Sequence, residues 1–294
     1  MRGVGAQEPS HIPRYRRYYE HLSLAYQEII STRRPSPTLA YLDGFKTDIY
    51  YPLVLSHLPP GAPQVLDLGC GPGTDLLVIA GQRPIQGCGL DLALNNLRLA
   101  QQRGRSADKK ISWVQSPVEC LPLSDQRFEY VLFSEVLEHL LNPDVALREV
   151  WRILKPNGLL FLTTPNRYNY FALIAEHLPQ GVKTVLKRWI WKMPRDYEVS
   201  RHYLDDPGVK RHVREFSPGE LRGILKQNGF RVHSLSGGPL AVPIPSLFDR
   251  WGWLLQAWKR VDKIISHLPA SAYLKENLIA LASKEASRPY VPSR

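Results

Sequence analysis

Between Gln64 and Pro165 the chain alternates short, predominantly apolar runs with longer stretches that are apolar on one side only. Val65–Leu68, Ile85–Leu90, Ile111–Val114, Tyr130–Phe133 and Leu159–Thr164 are apolar but for a few positions such as Asp67, Gln86 and Ser112, so they predict strands buried on both faces. Leu76–Gln82, Leu94–Arg103, Glu135–Leu141 and Val145–Leu154 have helical spacing and fall between them. Strand–helix alternation of this kind predicts an α/β domain with a parallel sheet covered on both faces. Lys155-Pro-Asn-Gly158 predicts a turn that stops one helix and launches the next strand. Further on, Ser217 predicts a helix N-cap, and Phe230–Leu235 and Leu278–Ala282 predict two more strands.

Three segments stand outside this rhythm. Residues 1–58 predict a disordered start and then a helical lead-in, with Tyr15, Tyr18, Tyr19 and Leu22 at helical spacing and a break at Pro35 to Pro37. Residues 166–211 and 236–274 interrupt the main domain, 59–284, as insertions, and residues 285–294 read as a flexible tail. In the first insertion Val182, Val185, Leu186, Trp189, Ile190 and Met193 share a helical face, with Lys183, Lys187, Arg188 and Lys192 around it. In the second, Leu247, Phe248, Trp251, Leu254, Leu255, Trp258, Val261 and Ile265 repeat the design, with Arg250, Lys259, Arg260 and Lys263 opposite. Three outcomes are open for these helices: apposition to an anionic bilayer, a lid over an apolar substrate, or packing as core with the lysines in water.

The chemistry begins at Val65-Leu-Asp-Leu-Gly-Cys-Gly-Pro-Gly-Thr-Asp75. A glycine-rich turn after a buried strand places a ligand at the carboxyl end of the sheet. A phosphate-binding P-loop needs Gly-Lys-Ser/Thr, and here Gly73 precedes Thr74 and Asp75. A dinucleotide site needs G-x-G-x-x-G, whereas these glycines stand at 69, 71 and 73. Asp67 and Asp75 flank the loop, repelling a pyrophosphate and favouring a cation. The next strand ends in Asp91, whose carboxylate suits a ribose diol. The implied ligand is a ribonucleoside with a positive charge and no phosphate.

Together with GLD at 89–91 and VLFSEVLEHLLNPDVALREVWRILKPNGLLFLTTPN at 131–166, this loop resembles the class I S-adenosylmethionine-dependent methyltransferases of the ubiquinone-biosynthesis O-methyltransferase type. The resemblance covers about residues 60–235 and the last strand. It implies a Rossmann-like seven-stranded sheet with an antiparallel final strand. It also implies that Asp67, Gly69, Gly71 and Gly73 line the methionine end, that Asp91 binds the ribose, and that Leu92 lies beside the adenine. Val118 and Glu119 would border the adenine, and Ser134 would lie under the sulfonium. Many relatives carry Asp before the position of Val118, where this chain has Pro117.

Glu135-Val-Leu-Glu138-His139, read as helix, brings two carboxylates and an imidazole to one face. With His212 the run resembles ubiquinone-type polyphenol O-methyltransferases and small-RNA 2′-O-methyltransferases, which implies Mg²⁺ held by Glu135, Glu138, His139 and His212. The same residues also read as helix-start charges, or as a metal-free base supplied by His139 or His212 with Glu135 nearby.

Charge sharpens the choice of partner. The net charge is +11. Residues 1–165 carry 17 basic and 16 acidic side chains, and residues 166–294 carry 21 and 11. The later part therefore suits an anionic partner: anionic lipid, an acidic substrate or nucleic acid. An alternating aromatic and basic pattern for single-stranded RNA is missing from both insertions, which puts RNA second. Three cysteines without metal spacing read as reduced thiols in a cytoplasmic protein. The basic amphipathic helices leave open a peripheral position at the inner membrane face. The expected function is methyl transfer to oxygen on a small or lipid-like acceptor of quinone-precursor, lipid or glycan type. RNA 2′-O-methylation and a noncatalytic S-adenosylmethionine-binding module are its alternatives.

Overall fold

The computed structural model of the chain describes residues 9–32, 41, 44–107, 109, 111–168, 213–240, 245–266 and 271–285. The strands are β1 (Gln64–Leu68), β2 (Gln86–Asp91), β3 (Ile111–Gln115), β4 (Phe128–Ser134), β5 (Leu154–Pro165), β6 (Phe230–Gly237) and β7 (Asn277–Lys284). They form one sheet in the order β3-β2-β1-β4-β5-β7-β6. The first five pair in parallel, and β7 runs antiparallel to both β5 and β6. The order reverses between β1 and β4, so a crevice opens there at the carboxyl ends of the strands.

The apolar strands feed two cores. In β4, Val131 and Phe133 face one side and Tyr130 and Leu132 the other. The first side is closed by α5 (Pro143–Ile153), through Ala146, Leu147, Val150 and Ile153, and by α6 (Pro218–Gln227), through Leu221, Ile224 and Leu225. The second side is closed by α2 (Tyr51–His57) and α3 (Thr74–Gln82), through Tyr51, Val54, Leu76 and Ile79. A wide π-type turn, Lys46–Tyr50, leads into α2. Burial of each full-sized apolar side chain contributes about 1.5–3 kcal/mol, so the two apolar faces are what hold the sheet between its helices.

Local chemistry sets the ends. Ser217 caps α6 as expected, and Glu220 reaches back to the Ser217 N–H, completing a capping box. The expected turn at Lys155–Gly158 sits inside β5 instead: Leu154 pairs with Phe128 and Leu159 with Tyr130, and the residues between bulge out with Asn157 at φ 60°. The helix expected at Glu135–Leu141 is replaced by one 3-10 turn, Leu137–His139. Its cause is local. Glu135 takes φ 55° and donates its N–H to Thr163 O at 2.9 Å, which carries the chain across the end of β5 before Pro143 can start α5.

The lead-in forms α1 (Ile12–Thr32), which lies against α4 (Leu94–Ser106). Residue 93, the α4 N-cap position, is alanine and offers no side-chain acceptor. Glu20 of α1 supplies one instead, accepting from Leu94 N at 2.5 Å and Asn95 N at 3.0 Å. The second insertion forms α7 (Pro245–Arg250) and α8 (Gly252–Ser266). It leaves the sheet after Gly237 and returns at Asn277, and Asn277 is paired with Pro165 at the carboxyl end of β5. The insertion therefore stands at the same end of the sheet as the crevice. The described part of residues 166–211 is limited to 166–168, so the helical face expected at Val182–Met193 lies outside the described residues. The same holds for residues 1–8, the break at Pro35 to Pro37 and the tail from 286. Among the described residues no helix is long and apolar enough to cross a membrane.

Candidate active site

A cavity of about 880 Å³ opens at the crevice. Its floor is the glycine loop. Gly69 and Gly71 take φ 71° and 51°, a backbone that only glycine adopts without strain. At Gly69 a side chain would also collide with Val136, at 2.3 Å from Cγ2. At Gly71 a Cβ would meet nothing within 4 Å, because the position faces open cavity. That is the space a ligand takes when backbone must approach it closely.

Asp91 fixes this loop. Its Oδ2 accepts from Gly71 N at 2.8 Å, and its Oδ1 accepts from Ala93 N at 2.8 Å and Asn96 Nδ2 at 3.3 Å. Gly69 N and Cys70 N donate to Leu90 O at 2.7 and 2.9 Å. The end of β2 and the loop after β1 are thus one rigid unit. Burial raises the Asp91 carboxyl above its ordinary range, against the lowering effect of these donors. Leu92, Val118 and Glu119 continue the wall, with His11 Nε2 at 3.7 Å from Glu119 Oε1.

The other half of the cavity is aromatic and aliphatic. Tyr15, Tyr19 and Leu22 reach in from α1, and Val136, His139, Leu140 and Leu141 from the segment after β4. The Tyr19 ring stands edge-on to His139, with centroids 5.9 Å apart. The Tyr19 hydroxyl and the Ser23 hydroxyl one turn later are buried without a hydrogen-bond partner. Both belong to residues that line the cavity, so each can hydrogen-bond a polar atom placed there. The helical spacing of these aromatics was visible in the sequence, but nothing there says that the face points into a site.

Of the residues expected from the sequence, Gly69, Gly71, Asp91, Leu92, Val118, Glu119, Glu135 and His139 line this one cavity. Asp67 and Gly73 lie behind it. Asp67 is almost fully buried, and burial followed by the nearby Asp75 carboxylate pushes its carboxyl well above the usual range. Gly73 leaves room for Trp113, whose ring would sit 2.5 Å from a Cβ there. Ser134 is engaged with Tyr50, oxygen to oxygen at 2.8 Å, and is not among the lining residues.

The acidic run does not share a helical face. Glu135 accepts from Thr163 Oγ1 at 2.8 Å and Asn277 Nδ2 at 2.9 Å at the cavity edge. Glu138 turns inward, accepts from Thr164 Oγ1 at 3.1 Å and lies 3.7 Å from His139 Nε2. Burial first, and then the Glu135 charge, push the Glu138 carboxyl up to about 8, so it is largely neutral near pH 7. Among the described residues no group of three His, Cys, Asp or Glu side chains stands together as a metal site. His212 lies outside the described residues; its neighbour Val213 donates to Glu138 O at 2.8 Å.

Residues 38–235 match the family described as a methyltransferase domain. The ubiquinone biosynthesis O-methyltransferase of Bordetella avium is 29% identical over 180 residues, covering 59% of this chain and 70% of that protein. The ubiquinone/menaquinone biosynthesis C-methyltransferase UbiE of Syntrophotalea carbinolica is 31% identical over 189 residues, covering 60% and 74%. Across these and other curated relatives the shared segment spans from 45% to 74% of their length. Among solved structures the [4+2]-cyclase SpnF superimposes with a TM-score of 0.60, covering 96% of this chain and 99% of that one at 18% identity, a likeness of fold alone. The glycine loop locked by Asp91, the strand order and the family match together establish that the chain belongs to the methyltransferase-domain family and is a class I S-adenosylmethionine-dependent methyltransferase.

Proposed function

We propose that the protein methylates an oxygen of a small, lipid-like acceptor bearing an aromatic ring, with His139 as the group that receives the hydroxyl proton. The observation that carries this reading is the division of the cavity. One wall, from Gly69 to Asp91, has the Asp91 carboxyl and bare backbone that suit a nucleoside; the other is largely apolar and aromatic around the His139 imidazole, while the second lining imidazole, His11, lies against Glu119. S-adenosylmethionine, when bound, supplies an electrophilic methyl group on sulfur. The S–CH₃ bond breaks as the C–O bond forms, and the acceptor's proton leaves to a base. His139 is the base candidate in the apolar half. The neutral Glu138 beside it and the Tyr19 ring edge-on to it fix the imidazole's place. Tyr19 and Ser23 offer the hydroxyls that would hold a polar atom of the acceptor. The names of the similar proteins, an O-methyltransferase and a C-methyltransferase of quinone biosynthesis, support a quinone precursor as the acceptor class. With the proton passing to His139, the transfer requires no Mg²⁺.

The test is transfer of labelled methyl to alkylated catechols, to phospholipid and to an RNA oligonucleotide, each with Mg²⁺ and with chelator. The expected result is an O-methylated catechol, formed equally with chelator. Methyl on ring carbon, or on RNA alone, would overturn the proposal.

A further inference from the structure

We propose that α7 and α8 form a docking surface for an anionic lipid bilayer. The sequence pattern predicts that Trp251, Trp258, Val261 and Ile265 share one face with Leu255, whereas the structure divides them. Only Leu255 and Asp262 of α8 are fully buried. Trp251, Trp253, Val261 and Ile264 are 46%, 65%, 41% and 66% exposed. At about 100° per residue, Trp253, Ala257 and Ile264 fall within one narrow arc of α8, and Val261 stands at its edge. Trp251 extends the arc across the junction with α7 by stacking on Trp253, with centroids 6.1 Å apart.

Charge names the occupant. Arg260 borders the arc directly, Lys263 follows it, and Arg250 ends α7 beside Trp251; all three are exposed. The acids are placed elsewhere. Asp262 points inward and is neutralised by Lys275, with Tyr41 Oη donating to it at 2.8 Å and Leu240 N at 3.2 Å. Asp249 alone remains on the outer side of these two helices. Exposed tryptophans edged by Arg and Lys suit the headgroup region of a bilayer, where the indole is wet at one end and dry at the other. A second copy of this chain is a poor occupant, because it would bring the same cations and a net charge of +11 against its own likeness. The insertion leaves and rejoins the sheet at the end where the cavity opens. In this respect the proposal rests on the lipid-like acceptor proposed above, since an acceptor dissolved in the bilayer would enter from that side.

Vesicle co-sedimentation of the full chain tests the proposal, using phosphatidylcholine alone and phosphatidylcholine mixed with phosphatidylglycerol. The wild type is expected to bind the mixed vesicles. Trp251→Ser with Trp253→Ser should lower partitioning about tenfold or more. Arg260→Gln with Lys263→Gln should lower it by about tenfold or more on mixed vesicles only. All four side chains are exposed, so unchanged thermal melting and unchanged S-adenosylhomocysteine binding are expected as controls. Those controls separate failure of this surface from failure of the methyl-transfer reading. No binding by the wild type overturns the proposal, as does binding that ignores the tryptophan pair. A concentration-dependent dimer abolished by the tryptophan changes, with no vesicle effect, would give the surface to a second copy and also overturn it.

Discussion

Asp91 uses one carboxylate to shape the cofactor site before any ligand arrives. Three of its roughly four acceptor positions are spent on Gly71, Ala93 and Asn96. Asp91→Asn would turn an amide N–H toward the Gly71 N–H and leave a donor unsatisfied, at a cost of about 2–3 kcal/mol. The expected result is S-adenosylhomocysteine affinity weakened by roughly a hundredfold in calorimetry; an unaltered Kd would show that the loop keeps its form without this anchor. His139 makes a different prediction. His139→Ala should reduce kcat by about 10²–10⁴ with cofactor affinity unchanged. Equal losses in binding would place the imidazole in the cofactor site rather than at the acceptor. Tyr19→Phe removes only an orphaned hydroxyl, so it should raise the acceptor KM and leave cofactor binding alone. The residues of the nucleoside half were legible in the sequence because their spacing is fixed by one turn between two strands. Tyr19 and Ser23 were not, because their role depends on where a distant helix lands.

At the scale of elements, the junction of α1 and α4 is a cap made in trans. The Glu20 carboxylate meets the two leading N–H groups of α4, where the backbone dipole also favours an anion. Glu20→Gln should therefore destabilise the fold by about 1 kcal/mol in urea unfolding. It should also loosen the aromatic wall of the cavity, read as faster hydrogen exchange in residues 12–32. Loss of stability without change in exchange would mean that α1 is held by its tyrosines alone. Strands and flanking helices followed from periodicity, since a buried parallel strand has few alternatives. The segment after β4 did not. Its Glu135–Leu141 pattern has helical spacing, yet the pairing of β4 with β5 and the bond from Glu135 N to Thr163 override it. Local propensity lost to a tertiary constraint there, where the chain after β4 must aim side chains into the cavity.

For the whole molecule, burial of acids sets a pH dependence. Asp67, Asp91, Glu119, Glu138 and Glu276 are all raised above their ordinary values, with burial the largest cause in each. Through these five groups the folded state binds more protons than the unfolded chain, so their contribution to stability falls as pH rises from the ordinary carboxylate range toward the folded values, while Glu129 and Glu220, both lowered, act in the opposite sense. For Glu138 that window ends at about 8. The urea midpoint should be lower at the alkaline end of the window than at the acidic end, and Glu138→Gln should flatten part of the decline. Parallel slopes in the two proteins would remove Glu138 from this account. The uneven charge along the chain was plain in the sequence, but which basic residues border exposed tryptophans required the helix rotation that Leu255 and Asp262 impose.

The most direct test of the cavity as the cofactor site is calorimetric titration of S-adenosylhomocysteine into the wild type and into Gly71→Val. Single-site binding is expected in the wild type. Binding should be lost in Gly71→Val, whose side chain would fill open cavity from a backbone at φ 51°, with circular dichroism reporting an intact fold. Undiminished binding in Gly71→Val, or no binding in the wild type, would contradict that assignment.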